Sequence, residues 1–362
     1  MHSQTSFHAP GRVLASALLV IAVACASIAR ADQVRMESDG AVVVPSMRVP
    51  NTPLYSAEGH ASRVEHVTTE RSLKGRPIAE LNAALFGPRL VRMREAYAVT
   101  VHDETIGGVH VRVYEPRDGI SPRMRSSVLI NVHGGGFVGC FDECGGLESV
   151  PIAALARARV VSIDYRLAPT ARFPDASKDV EAVYRVVLQK TPASRIGLFG
   201  CSAGGALVAQ SLAWFQHVGL PRPAAAGIYC AGASPFGSGD SAYFGLPLGD
   251  GDPPPAAPAA AASAPPRGYM QGTSTDDPLA YPAVDPRTLA RFPPTLVVVG
   301  GRDFAFSQSV YLHSRLVAAG VDARLNVWEG ARHAFFYDVR VPEAREAYAV
   351  MVRFFEEHAG RR

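Results

Sequence analysis

"GLFGCSAGGAL", Gly197 to Leu207, joins an apolar run to a helix-forming one through the chain's only G-x-S-x-G, at Gly200, Ser202 and Gly204. A strand that turns sharply into a helix at a serine pushes the hydroxyl out above the sheet, and glycines on either side relieve the crowding of that turn. The pentapeptide alone recurs by chance; its place between a strand pattern and a helix pattern gives it weight. The turn also sets the backbone N–H of Ala203 at the start of a helix, where partial positive charge gathers.

The pattern on either side of this turn decides the fold class. Upstream, "AVTVHDETIGGVHVRVYEP" (Ala98 to Pro116) alternates at period two around Ile106-Gly107-Gly108 and predicts a hairpin. "SSVLINV" and "ARVVSIDY" read as buried strands, "DASKDVEAVYRVVLQ" as an amphipathic helix and "RIGLFG" as the strand entering the turn. Downstream come the helix "GALVAQSLAWFQHVG", strands at "AAGIYCAG", "PTLVVVGG" and "ARLNVWEG", and the helix "SQSVYLHSRLVAAG" between the last two. Such alternation specifies an α/β fold, a mostly parallel sheet with helices on both faces. The expected core is residues 98–233 and 287–362. Residues 32–97 read as an N-terminal extension packed on it, with helical stretches near Ala79 to Leu85 and Arg89 to Ala96. Residues 234–286 break the rhythm and are expected to be an insertion at the sheet's edge, flexible in its middle, because "DPPPAAPAAAASAPP" (Asp252 to Pro266) cannot build a core.

Hydrophobic residues make up 48% of the 362, ample for a sizeable core. Charged residues are 19%, the net charge is +3, and no run of Lys or Arg is interleaved with aromatics, which argues against a nucleic-acid partner. At the N-terminus Arg12 precedes the apolar run "VLASALLVIAVACASIA" (Val13 to Ala29), and Ala29-Arg30-Ala31 fits a small-x-small cleavage pattern. Residues 1–31 therefore read as a signal peptide, and the protein as exported, periplasmic or secreted. An uncleaved segment would leave a membrane anchor, and cleavage before Cys25 a lipoprotein. Cys140, Cys144, Cys201 and Cys230 remain, in a compartment that permits disulfides. On a helix Cys140 and Cys144 come within bridging range, and the spacing leaves open whether they pair. No nearby His or second Cys-x-x-Cys accompanies either pair, so no metal site and no cofactor is expected.

A serine hydroxyl needs a base to take its proton and a carboxylate to hold that base, and parallel sheets gather functional groups at the carboxyl ends of their strands. Of the histidines after Ser202, His217, His313 and His358 fall within helices, and only His333, in "VWEGARHAFF", lies just beyond a strand. The same criterion selects Asp303, in "VVVGGRDF"; Asp322 precedes a strand, and Asp276, Asp277 and Asp285 lie in the insertion. A second glycine cluster stands in "SVLINVHGGGFVG" (Ser127 to Gly139). Three ordered glycines in a row are costly, so bare backbone must be needed there. When an alkoxide attacks an acyl carbon, charge develops on the carbonyl oxygen, and losing one preorganised N–H donor to it typically costs about 2.7 to 4 kcal/mol. Gly135 and Gly136 would supply two donors and Ala203 a third, with His133 bracing the loop.

Together "HGGGF" (His133 to Phe137), "DYRLAP" (Asp164 to Pro169), "FPDA" (Phe173 to Ala176), "GCSAGG" (Gly200 to Gly205), "GGRDF" (Gly300 to Phe304) and "RHAFF" (Arg332 to Phe336) resemble, in order and spacing, the hormone-sensitive-lipase-like family of α/β-hydrolases. The resemblance covers roughly Ala98 to the C-terminus. It implies an α/β-hydrolase fold with a sheet of about eight strands, a cap from the N-terminal extension and the insertion, metal-free carboxylester hydrolysis, and frequent homodimers. Ser202, Asp303 and His333 stand where that family's triad stands, and Gly135, Gly136 and Ala203 where its oxyanion donors stand. The expected function is a serine carboxylesterase acting on small to medium acyl esters. An amidase or arylformamidase with the same triad, and a catalytically silent binding protein on the same fold, are the alternatives. Cys201 stands where the family often has Asp and is expected to be a structural thiol. Phe304-Ala305 follows Asp303 where Pro-Leu is common, and "GDSAY" (Gly239 to Tyr243) lacks the closing glycine that would make Ser241 a rival nucleophile. Because the base must be neutral, activity is expected to fall below about pH 6.5, the reference value for His.

Overall fold

The structure is a computed structural model and describes residues 33–45, 47–251 and 268–360. The expected signal peptide, 1–31, and the whole Pro/Ala run, 252–266, lie outside the described residues. The described residues divide into two compact units, one up to residue 50 and the other from residue 51 on. In the first, Arg35–Met36 pairs antiparallel with Val42–Val43, and all four side chains are exposed. Residues 51–97 of the expected extension belong to the unit that holds the sheet.

Eight strands build that sheet: β1 Val99–Ile106, β2 Val109–Pro116, β3 Val128–Val132, β4 Arg159–Ile163, β5 Ile196–Cys201, β6 Ala225–Tyr229, β7 Thr295–Gly300 and β8 Ala323–Trp328. Their order is β8-β7-β6-β5-β3-β4-β2-β1. β1 runs antiparallel to β2, and β2 to β4; the remaining pairs are parallel. The β1–β2 turn needs positive φ at both central positions, which Gly107 and Gly108 supply at 63° and 80°. β5 and β7 are buried at every residue, as central strands covered on both faces must be.

Among the described residues, seven helices of eleven or more residues accompany the sheet: α1 Ala57–Ser72, α2 Ile78–Ala96, α3 Gly146–Ala156, α4 Asp175–Leu188, α5 Ala203–His217, α6 Phe306–Ala318 and α7 Pro342–His358. Because successive strand residues face opposite ways, each strand feeds two cores. Leu129, Phe199 and Val298 pack with Leu147, Met351 and Phe355 of α3 and α7. Their neighbours Ile130, Leu198 and Val297 pack with Val183, Leu207 and Leu316 of α4, α5 and α6.

The two helical stretches expected at 79–85 and 89–96 are one helix, α2, with Pro88 inside it. Proline there removes one backbone hydrogen bond, but Leu85, Leu90 and Met93 on either side are buried, and that packing carries the helix across. The sequence pattern did not single out α1, whose apolar content is low. Its start is fixed by Ser56, whose hydroxyl accepts from the Gly59 N–H at 3.0 Å. Ser56 in turn donates through its N–H and hydroxyl, both at 2.7 Å, to Glu343 of α7. The described part of the insertion is a series of short turns, among them Ser241–Gly245, Leu246–Asp250 and Pro286–Leu289, the last capped by Asp285.

Candidate active site

Ser202 sits between β5 and α5 with φ 58° and ψ −124°, a conformation that costs a side-chain-bearing residue energy and persists only where its surroundings impose it. The glycines of the motif are what impose it. A Cβ on Gly200 or Gly204 would press on the carbonyl oxygen of Val132, and one on Gly205 would lie 2.8 Å from the Ala231 methyl. The Ser202 N–H donates to Tyr229 O at 2.8 Å, which ties the turn to the end of β6.

Asp303, fully buried beyond the end of β7, accepts from His333 Nδ1 at 2.8 Å, and the same oxygen accepts from the Ala305 N–H at 2.8 Å. This bond places the ring proton on Nδ1 and leaves the Nε2 lone pair free. Phe304, the departure from the family's usual proline, stacks on the His333 ring with centroids 4.2 Å apart. Among the described residues neither Ser202 Oγ nor His333 Nε2 has a hydrogen-bond partner. Cys230, just past the end of β6, lies beside His333. Its Sγ accepts from the Ala334 N–H at 3.4 Å and lies within 4.8 Å of a carboxylate oxygen of Asp303 and a ring nitrogen of His333. The preceding residue, Tyr229, holds Ser202.

Those three groups have the makings of a metal-ligand set, but metal binding needs a thiolate, and burial pushes the Cys230 thiol well above its ordinary value. Cys201 is likewise fully buried with its thiol pushed up by burial, and it is not disulfide-bonded. Cys140 and Cys144 do pair, with Cα atoms 5.2 Å apart, Cys140 standing just before and Cys144 within the single wide turn Phe141–Gly145 that follows the glycine loop.

In that loop Gly135 and Gly136 have φ of 113° and 63°. A Cβ on Gly135 would lie 2.7 Å from that of Cys140. The amides of Gly135, Gly136 and Ala203 make no hydrogen bond among the described residues, whereas the Gly134 N–H donates to Glu148 Oε1 at 2.9 Å. His133 is fully buried, with Nδ1 on Gly134 O at 2.6 Å and its ring stacked on Tyr165. Burial lowers its pKa to about 4, so it stays neutral.

Glu148, on α3, is the residue that sequence reasoning missed. Its Oε1 accepts from the Gly134 N–H and from the Tyr337 hydroxyl at 2.5 Å; its Oε2 accepts from Asn131 Nδ2 at 2.8 Å and the Cys201 N–H at 3.2 Å. One carboxylate thus spans the glycine loop, the serine turn and the segment just past His333. Burial pushes it up to about 7, against the pull of four donors. A lone acid in the apolar stretch "GLESVPIAALA" was the available signal. Ser241 is structurally engaged: its hydroxyl donates to Phe304 O at 2.7 Å and accepts from the Ser307 N–H at 2.8 Å.

Above the strand ends a cavity of about 240 Å³ is bounded by α1 and α2 and by His333, with His66, Asn82, Phe86, Leu246 and Arg332 among its lining. The residues that acyl transfer needs are present: a hydroxyl on a strained turn, an imidazole held by a buried carboxylate, and backbone amides without partners among the described residues.

The model of an α/β-hydrolase fold family matches residues 129–337. The versiconal hemiacetal acetate esterase of Emericella nidulans is 40% identical over 109 residues, which span 30% of this chain and 36% of that enzyme. An acetyl-hydrolase of Streptomyces hygroscopicus is 28% identical over 247 residues, covering 66% of this chain and 78% of that one. A solved esterase of the bacterial hormone-sensitive lipase family superposes with a TM-score of 0.70 and 27% identity over 84% of this chain and 99% of that one.

Proposed function

Since the chain belongs to the α/β-hydrolase fold family, as a hormone-sensitive-lipase-like member, we propose that it is a carboxylic ester hydrolase whose nucleophile is Ser202, with His333 as base and Asp303 as its orienting carboxylate. The observation that carries this reading is the 2.8 Å bond from His333 to buried Asp303, in a chain whose G-x-S-x-G serine sits in a strained turn after a sheet strand. Ser202 Oγ attacks the ester carbonyl carbon while its proton passes to His333 Nε2. The carbonyl oxygen becomes an anion, which the N–H groups of Gly135, Gly136 and Ala203 stabilise. As the tetrahedral adduct collapses, His333 returns the proton to the departing alcohol. Water then repeats the sequence on the acyl-enzyme and releases the acid.

The cavity of about 240 Å³ holds the volume of about eight waters at roughly 30 Å³ each, which suits short to medium acyl groups better than long lipid chains. A fluorophosphonate should label the wild type and not Ser202→Ala, and p-nitrophenyl butyrate should be cleaved far faster than the matching anilide. Unlabelled, inactive wild-type protein would sink the proposal. The apolar run Val13 to Ala29 and its small-x-small end support export with cleavage after Ala31. The mass of the mature N-terminus tests that.

A further inference from the structure

The roof of the same site holds an unpartnered polar group, whose meaning rests on the esterase reading. Asn82, on α2, is only 6% exposed, yet its side chain makes no hydrogen bond among the described residues. It lines the cavity that reaches His333, and its Nδ2 packs so close to Gly139 that a Cβ there would lie 3.3 Å away. Most of the residue is buried but its polar atoms keep solvent access, so the amide is free to pair with whatever enters the cavity. Apart from the catalytic His333 Nε2, the other polar side chains of the lining are engaged. Arg332 donates to His333 O at 2.6 Å and lies 3.8 Å from Asp250, while His66 sits between Arg89 at 3.3 Å and Glu70 at 3.5 Å. Each charge in the cavity thus has its counterpart, which leaves an uncharged group as the fitting guest.

We propose that this cavity is a subsite for a substrate portion carrying a neutral hydrogen-bonding oxygen, a hydroxyl or carbonyl close to the ester, and that Asn82 reads it. An amide both donates and accepts, so it matches a hydroxyl fully and a carbonyl through its N–H. The apolar walls at Leu85, Phe86 and Phe304 take the adjoining carbons. In a free enzyme solvent satisfies the amide; a plain alkyl group that displaces that solvent leaves it unpaired, which is how the site discriminates.

The test has two arms, because the oxygen can sit on either side of the ester, and each arm reads a ratio of specificity constants, kcat/KM. For the acyl side, the value with p-nitrophenyl 3-hydroxybutyrate is divided by that with p-nitrophenyl butyrate; for the alcohol side, the value with 2-hydroxyethyl butyrate is divided by that with ethyl butyrate. In wild type one of the two ratios should favour the oxygenated ester by about tenfold, the worth of a good hydrogen bond, and Asn82→Leu should bring that ratio close to one. Asn82→Ser should restore part of it, and stoichiometric fluorophosphonate labelling of both variants checks that they fold. Ratios near one in both arms of the wild type, or a preference that survives Asn82→Leu, overturn the subsite while leaving the esterase standing. Absence of turnover and of labelling with every ester overturns the esterase reading itself.

Discussion

Asn131, Gly134, Cys201 and Tyr337 converge as four donors on one buried carboxylate in the floor of the site; in the cavity wall, on α2, a single asparagine side chain meets no donor or acceptor among the described residues. The floor is over-determined. Its strained serine, its glycine loop and its histidine segment are each bonded to elements that are themselves buried. The roof is held by packing, with Leu85, Leu90 and Met93 anchoring α2, and it leaves polar atoms open to whatever enters. The difference suggests a division of labour: geometry that the chemistry cannot do without is cross-linked, while the surface that chooses the substrate is left unsatisfied until the substrate arrives.

The largest expected effect removes the floor's reactive atom. Ser202→Ala should lower kcat by about ten-thousandfold or more, with the stability unchanged or raised because the turn loses little. A residual rate near wild type in purified protein would show that another group attacks.

Next is the brace itself. Every partner of Glu148 is a donor, so Glu148→Gln must turn an NH2 toward a donor and forfeits charge-assisted bonds; kcat should fall about ten- to hundredfold with KM nearly constant. Affinity for a boronic acid, which mimics the tetrahedral adduct, should fall in parallel. A change confined to KM would place Glu148 on the recognition side of the comparison. Cys140→Ser with Cys144→Ser should act on stability and not on the rate, by about 2 kcal/mol for so short a loop, read as a lowered denaturant midpoint.

The smallest effect is a trend with pH. Glu148 is raised by burial from its ordinary 4.5 to about 7, so the folded protein keeps a proton that the unfolded chain has already released. Its contribution to stability is therefore fully present below about 4.5 and is lost as pH rises to about 7. The stability advantage of wild type over Glu148→Gln should shrink over that window. An advantage that grows instead would mean that the carboxylate is held ionised throughout.

Much of this was legible beforehand. The period-two hairpin, the buried strands and the serine turn follow from short-range patterns, and Asp303 and His333 were selected because each follows a strand. α1 escaped notice because its residues are mostly polar and its start depends on Ser56 bonding Glu343, 287 positions away. Pro88 read as a break because local backbone chemistry says so; burial on both sides of it says otherwise.

Backbone conformation obeys neighbours a few residues off, which is why hydropathy and glycine spacing alone could determine the strands, their turns and the kind of chemistry the chain carries. Which side chains meet across 17, 53 or 189 positions, as those bonded to Glu148 do, is decided only when the sheet assembles. The stacking of Phe304 on His333 and the open amide of Asn82 belong to that second category, because packing in three dimensions brought the rings together and left the amide without a mate among the described residues.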